Sequence, residues 1–326
     1  MALCAYNGAR FLQEQLCSIE NQSLKVDEIV ICDDGSTDGT SHIVNSFSGE
    51  HPRLIRYYRN EKTLGYAQNF GRAISLCSGD IIFLSDQDDF WLPTKVEKTV
   101  AVLAQDDNCG VVAARAIVTD QNLNPTGMTL SLLKKDILGG PHSFSAHYQR
   151  SFAYGCTLAL RSSLRPLILP ISANWGHDNW ICFIASMFSR IKATEEPLML
   201  YRRHSASAGL NDGLDFSTSR QLFAAYKKSR VLDYETDFEN WNAMYGHLQN
   251  ILSTNLAGNT PIRMPLPKNA PLDAVKERLE FSKQRLKMAA KPRPLRVFTA
   301  LRMLLTGQYH EFVSGWKSLA KDLLTV

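Results

Sequence analysis

Two short apolar runs, Ile29–Cys32 and Ile81–Leu84, are each followed at once by carboxylates. Asp33 and Asp34 follow the first; Asp86, Asp88 and Asp89 follow the second. An uninterrupted apolar run of this length suits a strand buried on both faces, as in a parallel sheet covered by helices. Around these runs the pattern turns helical. "NGARFLQEQLCSIENQ" carries Phe11, Leu12, Leu16 and Ile19 at helical spacing, and helical stretches recur in "TSHIVNSF" and "YAQNFGRAISLC". The alternation predicts an α/β chain with an open, mostly parallel sheet and right-handed crossovers. Ligands on such sheets bind at the carboxyl ends of the strands. "CDDGSTD" (32–38) and "SDQDD" (85–89) both lie there, so they are expected to face one crevice.

Clustered carboxylates repel unless a cation or strong donors compensate them. Mg²⁺ and Mn²⁺ use few protein carboxylates and take their other ligands from water and substrate phosphates. Asp86, Asp88 and Asp89 therefore fit a metal–diphosphate site better than a closed protein cage; the plain alternative is a solvated turn before a helix. The second acidic strand end adds Gly35 and Ser36 after its carboxylates. A buried Asp there can accept from a pyrimidine N3–H or a ribose hydroxyl, and Tyr6 at a third strand end offers a stacking surface. Two acidic strand ends in one sheet favour a nucleotide pocket over two capped turns.

The first strand, within "MALCAY", is short, which leaves room for a longer strand upstream of Met1. Between about 110 and 210 strand and helix signals mix, and "HDNWICFIASMF" reads as a helix. After Gly213 the strand signals fade, and helical stretches flank the Pro-rich "NTPIRMPLPKNAP". The expected organisation is a catalytic domain over 1–212 and a helical region over 213–326. From Lys283 onward nine Lys and Arg stand against Glu311 and Asp322, a charge of +7 within a total of +4. A basic end predicts an anionic surface as partner. Nucleic acid is disfavoured because no aromatic–basic interleaving runs across a defined domain. That leaves a lipid surface, at the inner face of the plasma membrane, or simple packing of an amphipathic appendage. Seven cysteines form no CxxC pair, and no apolar run is long enough to span a bilayer. A cytoplasmic location is expected.

The motifs "AYNG" (5–8), "VICDDGSTDGT" (30–40), "NEKTLGYAQNFGRAI" (60–74), "GDIIFLSDQDDFWLPTKVEK" (79–98), "YGCTLALR" (154–161), "HDNW" (177–180) and "LYRRHSAS" (200–207) together resemble the family-two glycosyltransferases of the GT-A fold. "SDQDDFW", "HDNW" and "YRRH" are most similar to a branch that uses dTDP-L-rhamnose in bacterial polysaccharide assembly. The resemblance covers residues 1–210 and implies a role for each matched position. Asp34 would bind the donor pyrimidine, with Ala5 and Tyr6 forming its pocket. Asp86, Gln87 and Arg203 would contact the donor, one of the three clustered aspartates meeting its ribose. Asp88, Asp89 and His204 would hold Mg²⁺ or Mn²⁺, with Arg202 and Arg203 beside the diphosphate. Asp178 would be the general base, at a helix start whose dipole is expected to favour its charged form. Trp175, His177 and Trp180 would meet a saccharide or lipid-linked acceptor, while Trp91 suits either packing or sugar stacking.

No QxxRW motif follows Asp178, so the resemblance implies non-processive, inverting transfer. Asn179 replaces an aromatic usual in the rhamnosyl branch, which leaves the acceptor open. A UDP-hexose or UDP-N-acetylhexosamine is the alternative donor. A sugar-phosphate nucleotidyltransferase would need a Gly-rich phosphate loop that "AYNGARF" barely supplies. A catalytically inactive nucleotide-sugar-binding subunit is disfavoured because all five of Asp34, Asp86, Asp88, Asp89 and Asp178 are present.

Overall fold

The computed structural model describes residues 1–130, 153–205, 232–256, 270–312, 318–319 and 322–323. These fall into two compact units, one ending at His204 and one formed by the residues after it. The boundary expected at 212/213 lies outside the described residues.

The first unit begins with the predicted alternation: β1 (Ala2–Ala5), α1 (Leu12–Glu20), β2 (Ile29–Asp33), α2 (Thr40–Glu50), β3 (Ile55–Arg59), α3 (Tyr66–Leu76) and β4 (Ile81–Ser85). The four strands form the parallel block β3-β2-β1-β4. Ala5 pairs with Asp33, and Leu3 with Ser85. These registers bring Tyr6, Asp34 and Asp86, each next along its strand, to one edge of the sheet.

The unit continues through β5 (Phe90–Trp91), α4 (Lys95–Ala104), β6 (Cys109–Thr119), β7 (Pro125–Leu130), β8 (Leu158–Arg161), α5 (Arg165–Ile168), α6 (His177–Phe188) and β9 (Arg190–Arg202). Past β4 the sheet runs on as β8-β6-β9-β5, with β7 on β6. Here the pairing is mixed: β8 is antiparallel to both neighbours, whereas β6 and β9 are parallel. An apolar run buried on both faces suits either direction, so its composition does not encode this change.

Leu12, Leu16 and Ile19 of α1 are fully buried, as their spacing predicts, against Leu3, Ile31, Phe83, Trp91 and Met199 in one core. Each such side chain contributes roughly 1.5–3 kcal/mol on burial. Trp91 belongs to this core, with its ring 5.7 Å from Phe83, so it packs rather than stacking on sugar.

The second unit holds α7 (Leu232–Leu256), α8 (Ala270–Ala289), α9 (Arg293–Leu305) and α10 (Gln308–Phe312), helical as composition predicts. Phe281, Met288, Ala300, Met303, Tyr309 and Phe312 form its core. Buried Asp322 takes two bonds from Arg285, both at 2.8 Å, and one from each of the Tyr234 and Tyr309 hydroxyls at 2.6 Å. No helix among the described residues is long and apolar enough to cross a membrane.

Candidate active site

The acidic loop after β4 is fastened from two sides. Gln87 accepts from Tyr6 N at 2.8 Å and donates to Tyr6 O at 2.9 Å, pairing with the backbone as a strand neighbour would. A Cβ at residue 8 would lie 2.1 Å from Gln87 Oε1, so Gly8 is what admits the amide. Its polar atoms thus hold the loop to β1. On the other side, Arg202 Nε donates to Asp88 O at 2.7 Å and Nη1 to Gln121 O at 2.6 Å, while Nη2 pairs with Glu14. Its guanidinium lies 4.5 Å from the Phe11 ring centroid. Arg202 is buried and engaged within the protein.

Asp88 and Asp89, one residue apart, turn opposite ways. Asp88 Oδ2 lies 2.8 Å from His204 Nε2, on the accessible side. Asp89 is 1% exposed, and its Oδ1 accepts from Arg202 N at 3.3 Å. Burial, and then the Asp88 charge, push its carboxyl up to about 7. Asp89 thus faces inward, yet its carboxylate stays within 4.8 Å of a ligand atom of Asp86, so it remains a candidate metal ligand. Beneath it lies Lys95, fully buried, with Nζ donating to Cys156 O at 3.0 Å and sitting 4.2 Å from the Trp91 ring centroid. Burial lowers this amine to about 8. Its charge counters those of Asp89 and Asp86.

Asp86 completes the cluster. Burial, and then the charges of Asp88, Asp89 and Asp178, drive its carboxyl well above the ordinary range. That repulsion is what a hard divalent ion would relieve. Asp88 and His204, with Asp86 beside them, have the oxygen and nitrogen donors such an ion takes. Ligand atoms of Asp86, Asp89 and Cys156 also lie within 4.8 Å of one another. Burial keeps the Cys156 thiol protonated, however, and a thiol is a poor ligand for Mg²⁺.

At the end of β2, Asp33 is fully buried and structural: it accepts from Ser36 N at 2.8 Å and from the Tyr57 hydroxyl at 2.7 Å. Asp34 accepts from Asn60 Nδ2 at 2.6 Å and Leu64 N at 2.7 Å on one oxygen, and from Gly65 N at 2.9 Å on the other. A carboxylate has about four acceptor sites, so capacity for one further donor remains. Gly35 and Gly65 take φ of +86° and +83°, values that L side chains resist, and so allow the loops to wrap this carboxylate. Ala5 is buried beneath, its carbonyl accepting from Asp34 N at 2.8 Å. The Tyr6 ring is 54% exposed, as a stacking surface must be.

On the opposite side, α6 starts at His177 after Gly176. Asp178 Oδ1 accepts from Asn179 N at 2.7 Å. Burial nevertheless raises its carboxyl above the ordinary value, so the helix dipole does not dominate as expected. Its charge is one of those that raise the Asp86 carboxyl. His177 is buried, stacked on Phe70 at 3.9 Å, and lowered by burial to about 3. Trp180 is 1% exposed, with its indole N–H donating to Ile168 O at 2.8 Å. The acceptor role expected for these two is corrected: both rings are inside the fold. Trp175 is half-buried, edge-on to Trp180. Tyr66, which reads in sequence as an ordinary position of α3, is 64% exposed beside this site. A Cβ on Gly176 would lie 3.8 Å from its hydroxyl, and the Asp178 charge acts on it. Only an exposed aromatic next to the "LG" turn hinted at it.

The parallel block with acidic strand ends, continued by a mixed β8-β6-β9-β5 sheet, is a GT-A-type fold. The profile of "Glycosyl transferase family 2" matches residues 2–164, half of the 326 residues, and the chain belongs to that family. Chondroitin synthase of Escherichia coli is 33% identical over 191 residues, covering 55% of this chain and 27% of that protein. EpsE of Bacillus subtilis is 34% identical over 116 residues, covering 36% of this chain and 42% of its own length. The chain thus spans less than half the length of these two curated relatives. Among solved structures, Staphylococcus aureus TarS 1–349 in complex with UDP-GlcNAc superposes with a TM-score of 0.54 at 14% identity, over 97% of this chain and 88% of that one. At that identity the likeness is one of fold.

Proposed function

We propose that the protein transfers one sugar from a nucleotide diphosphate donor to a saccharide or lipid-linked acceptor in cell-surface polysaccharide synthesis, with inversion at the transferred carbon. The observation that carries this reading is the strand register that brings Tyr6, Asp34 and Asp86 to one end of the sheet, with Asp88, in the loop that follows Asp86, 2.8 Å from His204. Asp34 accepts the donor's pyrimidine N3–H on its remaining acceptor site, and Tyr6 stacks on the base. Asp86 contacts the ribose, and Arg203 the diphosphate. Asp88, Asp89 and His204 would hold Mg²⁺ or Mn²⁺, which would offset the charge of the departing diphosphate. Asp178 takes the acceptor hydroxyl's proton as the new C–O bond forms, and the bond pair of the broken C–O bond leaves with the diphosphate. The burial that raises Asp178 makes it a stronger base than an ordinary surface carboxylate. Tyr66 and Trp175 flank this carboxylate and present aromatic surface to the acceptor sugar.

dTDP-L-rhamnose is the first donor to test, on the strength of "SDQDDFW", "HDNW" and "YRRH". A UDP-linked sugar is the second, since TarS, which shares the fold, is seen with UDP-GlcNAc. The experiment is thermal shift with dTDP, UDP and GDP, each with Mn²⁺ and with EDTA. Ligand at about a hundredfold above Kd adds ~2.7 kcal/mol of stability. Metal-dependent stabilisation by dTDP above UDP supports the rhamnosyl donor; the reverse order replaces it; no shift with any nucleotide refutes the donor site.

A further inference from the structure

Helix α9 has two apolar faces, and its unit uses only one. Ala300 and Met303 are buried in the core of the second unit. On the other side Leu295, Phe298 and Leu305 are 57%, 73% and 87% exposed, with Val297 and Leu301 also exposed. At 100° per residue, Phe298, Leu301 and Leu305 lie within one narrow sector, flanked by Leu295 and Val297. Scattered surface apolar residues are ordinary, but five on one helix of 13 residues form a contiguous stripe.

The charge around this stripe is of one sign. Between Glu280 and Glu311 the chain has seven Lys and Arg and no carboxylate. One of the seven, Arg285, is neutralised internally by Asp322. Lys291 and Arg302 are exposed and border the stripe. A second copy of the same face would bring like charges together, whereas an anionic lipid surface takes both the apolar side chains and the cations. We infer that the outer face of α9 docks on an anionic lipid surface, with Leu295, Phe298, Leu301 and Leu305 entering the acyl boundary and Lys291 and Arg302 meeting headgroup phosphates. The basic tail predicts such a partner from charge; the structure assigns it to one face of one helix. Nothing in this assignment depends on the donor chemistry.

The test is co-sedimentation of the full chain with vesicles of phosphatidylcholine alone and of phosphatidylcholine with one-third phosphatidylglycerol. The wild type should partition onto the anionic vesicles and not onto the neutral ones, and salt should weaken binding. The variant Phe298→Ser/Leu305→Ser should lose about tenfold or more of this partitioning, and Arg302→Gln about fivefold. Because these side chains are exposed, circular dichroism and the Mn²⁺-nucleotide thermal shift should match wild type, which separates this result from failure of the donor site. Absence of wild-type binding to the anionic vesicles, or undiminished binding by the double variant, overturns the inference. A wild-type dimer that Phe298→Ser/Leu305→Ser converts to monomer would also overturn it, assigning the face to a second copy.

Discussion

Arg202 is the residue whose removal discriminates best between a scaffold role and a ligand role in the basic pair after β9. Replacing it by Met keeps a long side chain over the Phe11 ring but removes the donors to Asp88 O and Gln121 O. Each buried carbonyl left without its donor costs about 1–3 kcal/mol. Glu14 regains water easily, because its side chain is 48% exposed. Removing the buried cation also relieves its own desolvation, so the expected loss is about 3 kcal/mol. For a domain of this size that corresponds to a fall in Tm of about 6–12 °C. Thermal melts of Arg202→Met, Arg202→Lys and Arg203→Met, each with and without Mn²⁺ and nucleotide, read it out. Arg202→Met should melt low and bind nucleotide weakly, because Asp88 loses its backbone anchor. Arg202→Lys should be intermediate, since an ammonium cannot reproduce the fork. Arg203→Met should lose nucleotide stabilisation. A wild-type Tm for Arg202→Met would refute the assignment of Arg202 as the loop's anchor.

Asp178→Asn should lower kcat by about 10²–10⁴ while leaving the nucleotide thermal shift intact; product assays showing retained turnover would rule out the base. Because burial raises the Asp178 carboxyl, and the base must be deprotonated, kcat/KM should rise with pH through that elevated value. Its acid limb should therefore lie above the ordinary carboxylate range, as a pH–rate profile would show. Gly8→Ala forces the Gln87 amide out of its dock on Tyr6, where a Cβ would sit 2.1 Å from Oε1. Overpacking of this kind costs about 1–3 kcal/mol, measurable by urea denaturation, and nucleotide affinity should fall with it. Asp89 holds its proton up to about 7 in the fold, above the unfolded value. Its contribution is complete below about pH 4 and declines towards about pH 7, by up to ~4 kcal/mol. Urea midpoints of the metal-free protein should show that decline, and Asp89→Asn should flatten it.

Local pattern was enough for much of this protein. Apolar runs and helical spacing set out β1 to β4 with their helices, because each records its own burial in a short window. The acidic strand ends were legible for the same reason: Asp34 and Asp86 stand two residues past the apolar runs whose burial places them. The motif pattern also reached the family. What lay beyond was every choice between neighbours. Asp88 faces His204 while Asp89, its neighbour in sequence, turns inward, and it is Arg202 that anchors the acidic loop. Such choices depend on which segment lies across the gap, and that segment is 114 residues away in the contact between Arg202 and Asp88. His177 and Trp180 look like acceptor contacts beside Asp178, but helix geometry turns their rings into the fold. In α9 the sequence shows a basic, apolar helix; only the packing of Ala300 and Met303 decides that one apolar face is covered and the other left open. Composition sets what a side chain can do, and the tertiary contacts across the sheet decide which of two neighbouring side chains is in place to do it.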